Sequence, residues 1–291
     1  MRIPERLAVP RPVFSFEFFP PKTAEGEQKL FEVLDDLRRL EPDFVSVTWG
    51  AGGSTQQKTI AVTERIKRES GIEAMAHFTC AGADRDQIRR ALDEIASAGI
   101  ENVLLLRGDP PSGRSFEPAI DGFRYASELI SYVRGLGHGF SIGAACYPEG
   151  HVEAASLDVD LTHLATKVSS GVDFLITQLF FDNRHYFRFV DRAREAGVTV
   201  PILPGIMPIT NVDQIRRFTK LCGATIPPQL FEELTRRRDD PDRVHELGVI
   251  HATIQSLGLL QGGAPGVHFY TLNRSAATRD ILTAMRMNAR L

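Results

Sequence analysis

The chain has 291 residues, 43% of them hydrophobic and 24% charged, which is enough to bury a large core and excludes a disordered or fibrous chain. A formal net charge of −3 and a pI near 6.3 lack the basic excess that a nucleic-acid or anionic-membrane partner would require. Cys80, Cys146 and Cys222 are odd in number and show no CxxC spacing, so they are expected as reduced thiols and not as disulfides or a zinc site. The opening MRIPERLAVPRPVF has charges and prolines where a secretory leader needs an apolar run, and no stretch approaches a membrane span. A soluble cytoplasmic protein is the expectation.

In chain order, short β-rich runs predict strands over 13–18, 44–48, 74–78, 103–106, 140–145, 174–178, 201–203 and 267–270. Between them, apolar residues at three- and four-residue spacing predict helices over 25–40, 56–69, 85–98, 122–134, 156–170, 184–196 and 212–221, and 276–288 closes the series. Leu30, Val33, Leu34 and Leu37 show the pattern, as do Ile88, Leu92 and Ile95. Two added helices, 228–238 and 242–257, fill the long interval before the last strand. Eight strands recurring at about the length of a βα unit predict an α/β fold of the (βα)8 TIM-barrel type, as one domain over 1–291. A doubly wound open sheet is the alternative; no Gly-x-Gly-x-x-Gly turn follows the first strand to favour it.

In such a barrel, function sits where strands run into loops at the carboxyl-terminal rim. The first strand carries Glu17 among Phe14, Phe16, Phe18 and Phe19. An unpaired ionised carboxylate is costly to bury, so Glu17 is either paired with a buried Arg or kept protonated, and a protonated Glu in a dry pocket is a general acid. The other predicted rim positions bring Thr48 and Trp49, His77, Arg107 to Asp109, Tyr147 to His151, Gln178 and Tyr270 to Arg274 towards the same mouth. His138, His185, His245 and His251 are expected on the surface or on helix faces, and no His–carboxylate spacing suggests a metal.

The segments FSFEFFPPKT, VTWGAGGS, LRGDPP, YPEGH, ITQLFFDN, PILPGIMP and HFYTLNRS occur in that order over nearly the whole chain. Together they resemble the methylenetetrahydrofolate reductases of bacteria, as their catalytic domain alone. The resemblance implies a flavin-containing (βα)8 barrel in which hydride passes from NADH or NADPH to FAD and then to 5,10-methylenetetrahydrofolate. It further implies a homo-oligomer.

By the same resemblance Glu17 is the general acid, Asp109 contacts the pterin and tunes the flavin, and Gln178 serves folate and nicotinamide nucleotide in turn. For Asp109, a simple turn-capping role in Gly-Asp-Pro-Pro is the competing reading. The flavin contacts implied are Thr48, Trp49, Ala51, His77, Arg107, Gly108, Asp109, Ala126, Tyr147, His151, Ala154, Asp160, His163 and Lys167. Folate contacts fall on Asp109, Gln178, Gln214, Phe218 and Arg274; Phe218 also reads as a core residue at helical spacing from Ile215. Three positions depart from the pattern: His163 stands where some members have Asn, Thr166 where they have Arg, and Val172 where they have Ala. Loss of that Arg weakens the cationic clamp expected around the flavin phosphates. Two other functions remain open at this point, the same reduction by direct hydride transfer without flavin, and a folate-binding barrel without redox chemistry.

Overall fold

A computed structural model describes residues 1–49, 56–109 and 116–288; Ala51, the rest of the glycine-rich run 50–54 and the two prolines after Asp109 lie outside the described residues. The strands are β1 Val13–Phe18, β2 Phe44–Val47, β3 Glu73–Thr79, β4 Asn102–Leu106, β5 Ser141–Cys146, β6 Phe174–Thr177, β7 Ile202–Leu203, β8 Gly205–Ile206 and β9 Gly266–Tyr270. The helices are α1 Ile3–Leu7, α2 Ala24–Arg38, α3 Gln56–Ser70, α4 Arg85–Ser97, α5 Ala126–Leu136, α6 Leu157–Ser169, α7 Asn183–Glu195, α8 Val212–Cys222, α9 Pro228–Arg236, α10 Pro241–Gln261 and α11 Ala276–Asn288.

All strand pairings are parallel, in the order β7-β6-β5-β4-β3-β2-β1-β9-β8. β7 and β8 are two halves of one stave, interrupted at Pro204: the first half pairs with β6 and the second with β9, which nearly closes the sheet into an eightfold barrel. Proline has no N–H to give to a ladder, so a stave carrying one must break there. The open-sheet alternative is excluded by this pairing of β8 with β9.

Helix α1, which sequence periodicity does not signal, is too short for a full amphipathic repeat. Its Ile3, fully buried, joins Val13, Phe44, Met75, Leu104, Phe174 and Leu203 in the lower interior of the barrel, and Leu7 packs partly buried against the same cluster. The Ile3 backbone N–H donates to Asn102 Oδ1 at 2.9 Å, which satisfies a buried donor at the bottom of the barrel. Helix α5 starts later than its apolar pattern predicts because Glu128 turns back to accept from the N–H groups of Arg124 and Tyr125, at 2.7 and 3.1 Å. The added helices α9 and α10 are present before the last strand as expected. No described helix is long and apolar enough to cross a membrane.

Side-chain alternation along β1 decides what Glu17 sees. Phe14, Phe16 and Phe18 point outward into the layer shared with α2 and its neighbours, whereas Val13, Ser15 and Glu17 point into the barrel. Phe19 is 43% exposed. The phenylalanines therefore seal the barrel wall from outside and do not themselves enclose the carboxylate, a correction to the picture drawn from adjacency in sequence.

Candidate active site

Glu17 closes β1 at the upper end of the barrel and is 8% exposed. Its Oε2 lies 3.4 Å from Nε2 of His77 on β3 and 3.4 Å from Nε2 of His268 on β9. Among the described residues no Arg or Lys forms an ion pair with it, so the alternative of a structural Glu tied to a buried Arg is not what this fold contains. Nδ1 of His268 is 2.8 Å from Ser15 Oγ, which leaves its Nε2 aimed at the carboxylate. His77 makes no well-aligned hydrogen bond through its buried Nε2. Burial pushes the His77 imidazole down to about 4, against the pull of the Glu17 charge and with help from His268. His77 is thus a neutral ring at physiological pH, with one polar atom left for a guest.

The next strand positions extend this polar interior. Tyr270 follows His268 on the same face of β9, and its hydroxyl donates to Thr177 O at 2.6 Å. Burial, reinforced by the Glu17 charge, raises the Tyr270 phenol well above its ordinary value, so it remains a donor. Gln178 follows β6 at the rim, half-buried, with its N–H on Cys146 O at 2.7 Å and its side-chain oxygen accepting from Leu179 N at 2.9 Å. Thr48 follows β2, its N–H donating to Phe18 O at 2.9 Å and its carbonyl accepting from Thr59 Oγ1 at 2.9 Å. Trp49 is half-buried and packs on Phe78 with ring centroids 4.8 Å apart.

A second group gathers beside the ends of β4 and β5. Tyr147 meets His151 edge-on with centroids 4.7 Å apart, and Lys167 Nζ lies 5.9 Å from the Tyr147 ring. Asp160 accepts from the His151 N–H at 3.2 Å, and Ala154 donates to His151 O at 2.9 Å. Lys167 does not reach outward as a free cation: it donates to Ala145 O at 2.9 Å, and burial lowers its ammonium below the ordinary value. Arg107 is bound in a fork by Glu153 at 2.6 and 2.9 Å. Gly108 adopts φ +87°, and a Cβ there would come within 2.9 Å of Thr79 and Ala81, so both conformation and space demand glycine. Asp109 is exposed beside this group, and its charge, with that of Asp160, adds to the burial that raises the Tyr147 phenol.

The remaining expected contacts are spread more widely. Ala126 is the half-buried first residue of α5, and His163 lies exposed on α6. Thr166 adds no cation; its hydroxyl donates back to Thr162 O in the helix at 3.0 Å. Gln214 opens α8, where its N–H is capped by Asn211 Oδ1 at 2.8 Å. Phe218 is half-buried on an apolar cluster that includes Ile215, Leu179, Met207, Tyr270 and Leu272, which links α8 to the rim above Glu17. Arg274 is exposed after β9. The residues that the sequence does not single out are His268, which stands against Glu17, and Ser15, which orients His268. The signal was present, since 15 and 17, like 268 and 270, fall on one face by the period-two rule. Glu149 of the YPEGH segment serves the rim structurally, accepting from Thr225 N at 3.1 Å and standing 3.3 Å from His185 Nδ1.

A family profile described as methylenetetrahydrofolate reductase matches residues 2–286. The chain is 40% identical over 283 residues to methylenetetrahydrofolate reductase (NADH) 1 of Zea mays, covering 94% of this chain and 48% of the maize protein. It is 39% identical over 261 residues to 5,10-methylenetetrahydrofolate reductase of Escherichia coli, covering 90% of this chain and 86% of that one. The chain thus spans about half the length of the plant relatives, and the likeness is as strong to plants as to bacteria. Among solved structures, an uncharacterized Clostridium thermocellum protein that binds two copies of 5-methyl-5,6,7,8-tetrahydrofolic acid superposes with a TM-score of 0.66 at 15% identity, covering 99% of both chains; this likeness concerns the fold. From the profile match and these identities, the chain belongs to the methylenetetrahydrofolate reductase family.

Proposed function

We propose that the protein reduces 5,10-methylenetetrahydrofolate to 5-methyltetrahydrofolate at the expense of NAD(P)H, by way of FAD, with Glu17 as the general acid. The observation that carries this reading is a buried carboxyl with no Lys or Arg against it among the described residues, facing into the barrel mouth between two histidines. Opening the substrate's five-membered ring requires a proton on the departing nitrogen. Glu17 supplies it as the carbon–nitrogen bond breaks, the resulting iminium carbon takes up a hydride, and the carboxylate left behind is reprotonated from solvent. General acid catalysis of this type is worth ~10²–10⁴ in rate.

Nε2 of neutral His77, buried and without a well-aligned hydrogen bond, and the half-buried Trp49 at the end of β2 suit a heteroaromatic guest such as a flavin ring. Bound FAD would supply the hydride. Thr48, Trp49 and His77 would hold its ring, while Arg107, His151, Asp160 and Lys167, with Tyr147, would take its ribityl, diphosphate and ribose groups; Ala51, Gly108, Ala126, Ala154 and His163 complete the proposed surface. Asp109 and Gln178 orient the pterin, and Gln214, Phe218 and Arg274 receive the rest of the folate. NADH is the proposed donor, in keeping with the names of the plant relatives.

The test is a spectrum and a substitution. Purified protein should be yellow and bleach on anaerobic NADH. Glu17→Gln should keep both properties and lose folate reduction by ~10²–10⁴. Colourless protein that still reduces the folate points to direct hydride transfer, and colourless protein that binds folate without oxidising NAD(P)H points to a non-redox barrel.

A further inference from the structure

The loop after β9 is fastened to the chain around Glu17 by side chains that imitate a strand. Pairing between β1 and β9 ends with Glu17 opposite Tyr270. Beyond that pair, Thr271 Oγ1 donates to Glu17 O at 2.6 Å, and Asn273 N donates to Thr271 Oγ1 at 3.2 Å. The Asn273 side chain then exchanges two bonds with one peptide position: its Oδ1 accepts from Phe19 N at 2.7 Å and its Nδ2 donates to Phe19 O at 2.9 Å. An amide group is the side chain that can donate and accept in this way, as a backbone partner would.

The loop adopts an unfavourable conformation to do so. Leu272 and Asn273 are consecutive non-glycine residues at φ +53° and +57°. Such values are uncommon outside glycine, asparagine and aspartate, and for a branched residue like Leu272 they cost free energy that the surroundings must offset. Leu272 is held in place by the apolar cluster it shares with Phe218 and Tyr270. The next two residues after Phe19, Pro20 and Pro21, stiffen the chain, so the twin bond at Phe19 clamps a segment with little freedom of its own.

We propose that Asn273 is a positioning residue for proton delivery: by tying Phe19 to the loop after β9 it fixes the end of β1 and holds the Glu17 carboxyl on the reacting nitrogen. The inference rests on the function proposed above. Misplacing a reacting group by about an ångström can cost on the order of 10²-fold in rate.

Two variants separate the hydrogen bonds from the backbone conformation. Asn273→Gly accepts φ +57° without strain but removes both bonds to Phe19, and Asn273→Asp keeps only the acceptor for Phe19 N. In the flavin-loaded enzyme, Asn273→Gly should lower kcat for methylenetetrahydrofolate reduction by about 10- to 100-fold, while the rate of flavin reduction by NADH stays within about twofold of wild type; Asn273→Asp should fall between. Amide hydrogen exchange gives a reading independent of turnover: Phe19 N–H should be protected in the wild type and lose that protection in Asn273→Gly. Equal loss of both half-reactions, unchanged folate reduction, or an unprotected Phe19 in the wild type would each overturn the proposal. Wild-type enzyme that never reduces the folate would instead sink the functional reading, and the exchange at Phe19 would still judge the clamp.

Discussion

Ser15 Oγ and Nδ1 of His268 stand 2.8 Å apart on neighbouring strands, and this contact points the other nitrogen of the same ring at the Glu17 carboxyl, 3.4 Å away. His268 is fully buried, so its orientation is set by Ser15 and Glu17 and not by water. Removing the hydroxyl leaves a buried ring nitrogen without its partner, which costs about 1–3 kcal/mol, and frees the ring beside the Glu17 carboxyl. Ser15→Ala should lower stability by that amount in urea denaturation. It should also slow folate reduction about tenfold while leaving NADH oxidation with an artificial acceptor intact, since only the first depends on how Glu17 is held.

His77 links stability to pH. Folded, its imidazole titrates at about 4; unfolded, at its ordinary value near 6.5. Between these values the unfolded chain binds a proton that the folded one refuses, so stability falls as pH drops through that window. The full effect of a shift this large is roughly 3 kcal/mol. His77→Gln should therefore lose less stability than the wild type between pH 7 and pH 4.5, measured as denaturation midpoints at both values. Parallel loss in the two proteins would show that His77 is protonated in the fold.

Gly205 lies where β8 passes under Tyr270. A Cβ at this position would overlap Thr177 O and come within 2.7 Å of the Tyr270 hydroxyl. Gly205→Ala should break the Tyr270–Thr177 hydrogen bond and overpack the barrel wall, costing about 1–3 kcal/mol. Thermal denaturation is the direct measurement, and a wild-type melting temperature would contradict the packing described.

Glu153 occupies the guanidinium of Arg107 that the proposed flavin diphosphate would need. The hydrogen bonds from Arg107, with its charge, in turn hold the Glu153 carboxyl below its usual range. The Glu153 side chain is about half exposed, so the pair is worth little in itself and is displaceable by another anion. Glu153→Gln should tighten FAD binding about two- to fivefold, read as the dissociation constant from quenching of flavin fluorescence. Weaker binding in the variant would place Glu153 among the groups that hold the ligand.

Much of this molecule is legible from its residues in order. The helix and strand alternation needs only near neighbours, and β1 and α11 begin and end where the periodicity puts them. Family motifs marked Glu17, Tyr147 and Gln178 at strand ends because a parallel barrel converts every strand end into a rim position. Elements smaller than their own period were not legible: α1 packs through Ile3 and Leu7 in little more than one turn, and Pro204 divides a stave that reads as a single short run.

What the sequence by itself determined is the set of staves, their helices and the rim residues, since local propensity and hydrophobic period act within a window of a dozen residues. Tertiary structure alone decided which side chains meet: Glu17 with His77 and His268, Arg107 with Glu153, Asn273 with Phe19. Those partners lie 46 to 254 residues apart, or 60 in the case of Glu17 and His77. No local pattern encodes such a distance; it is set when the sheet curls, β8 pairs with β9, and the inward faces of separate strands are brought around one polar interior.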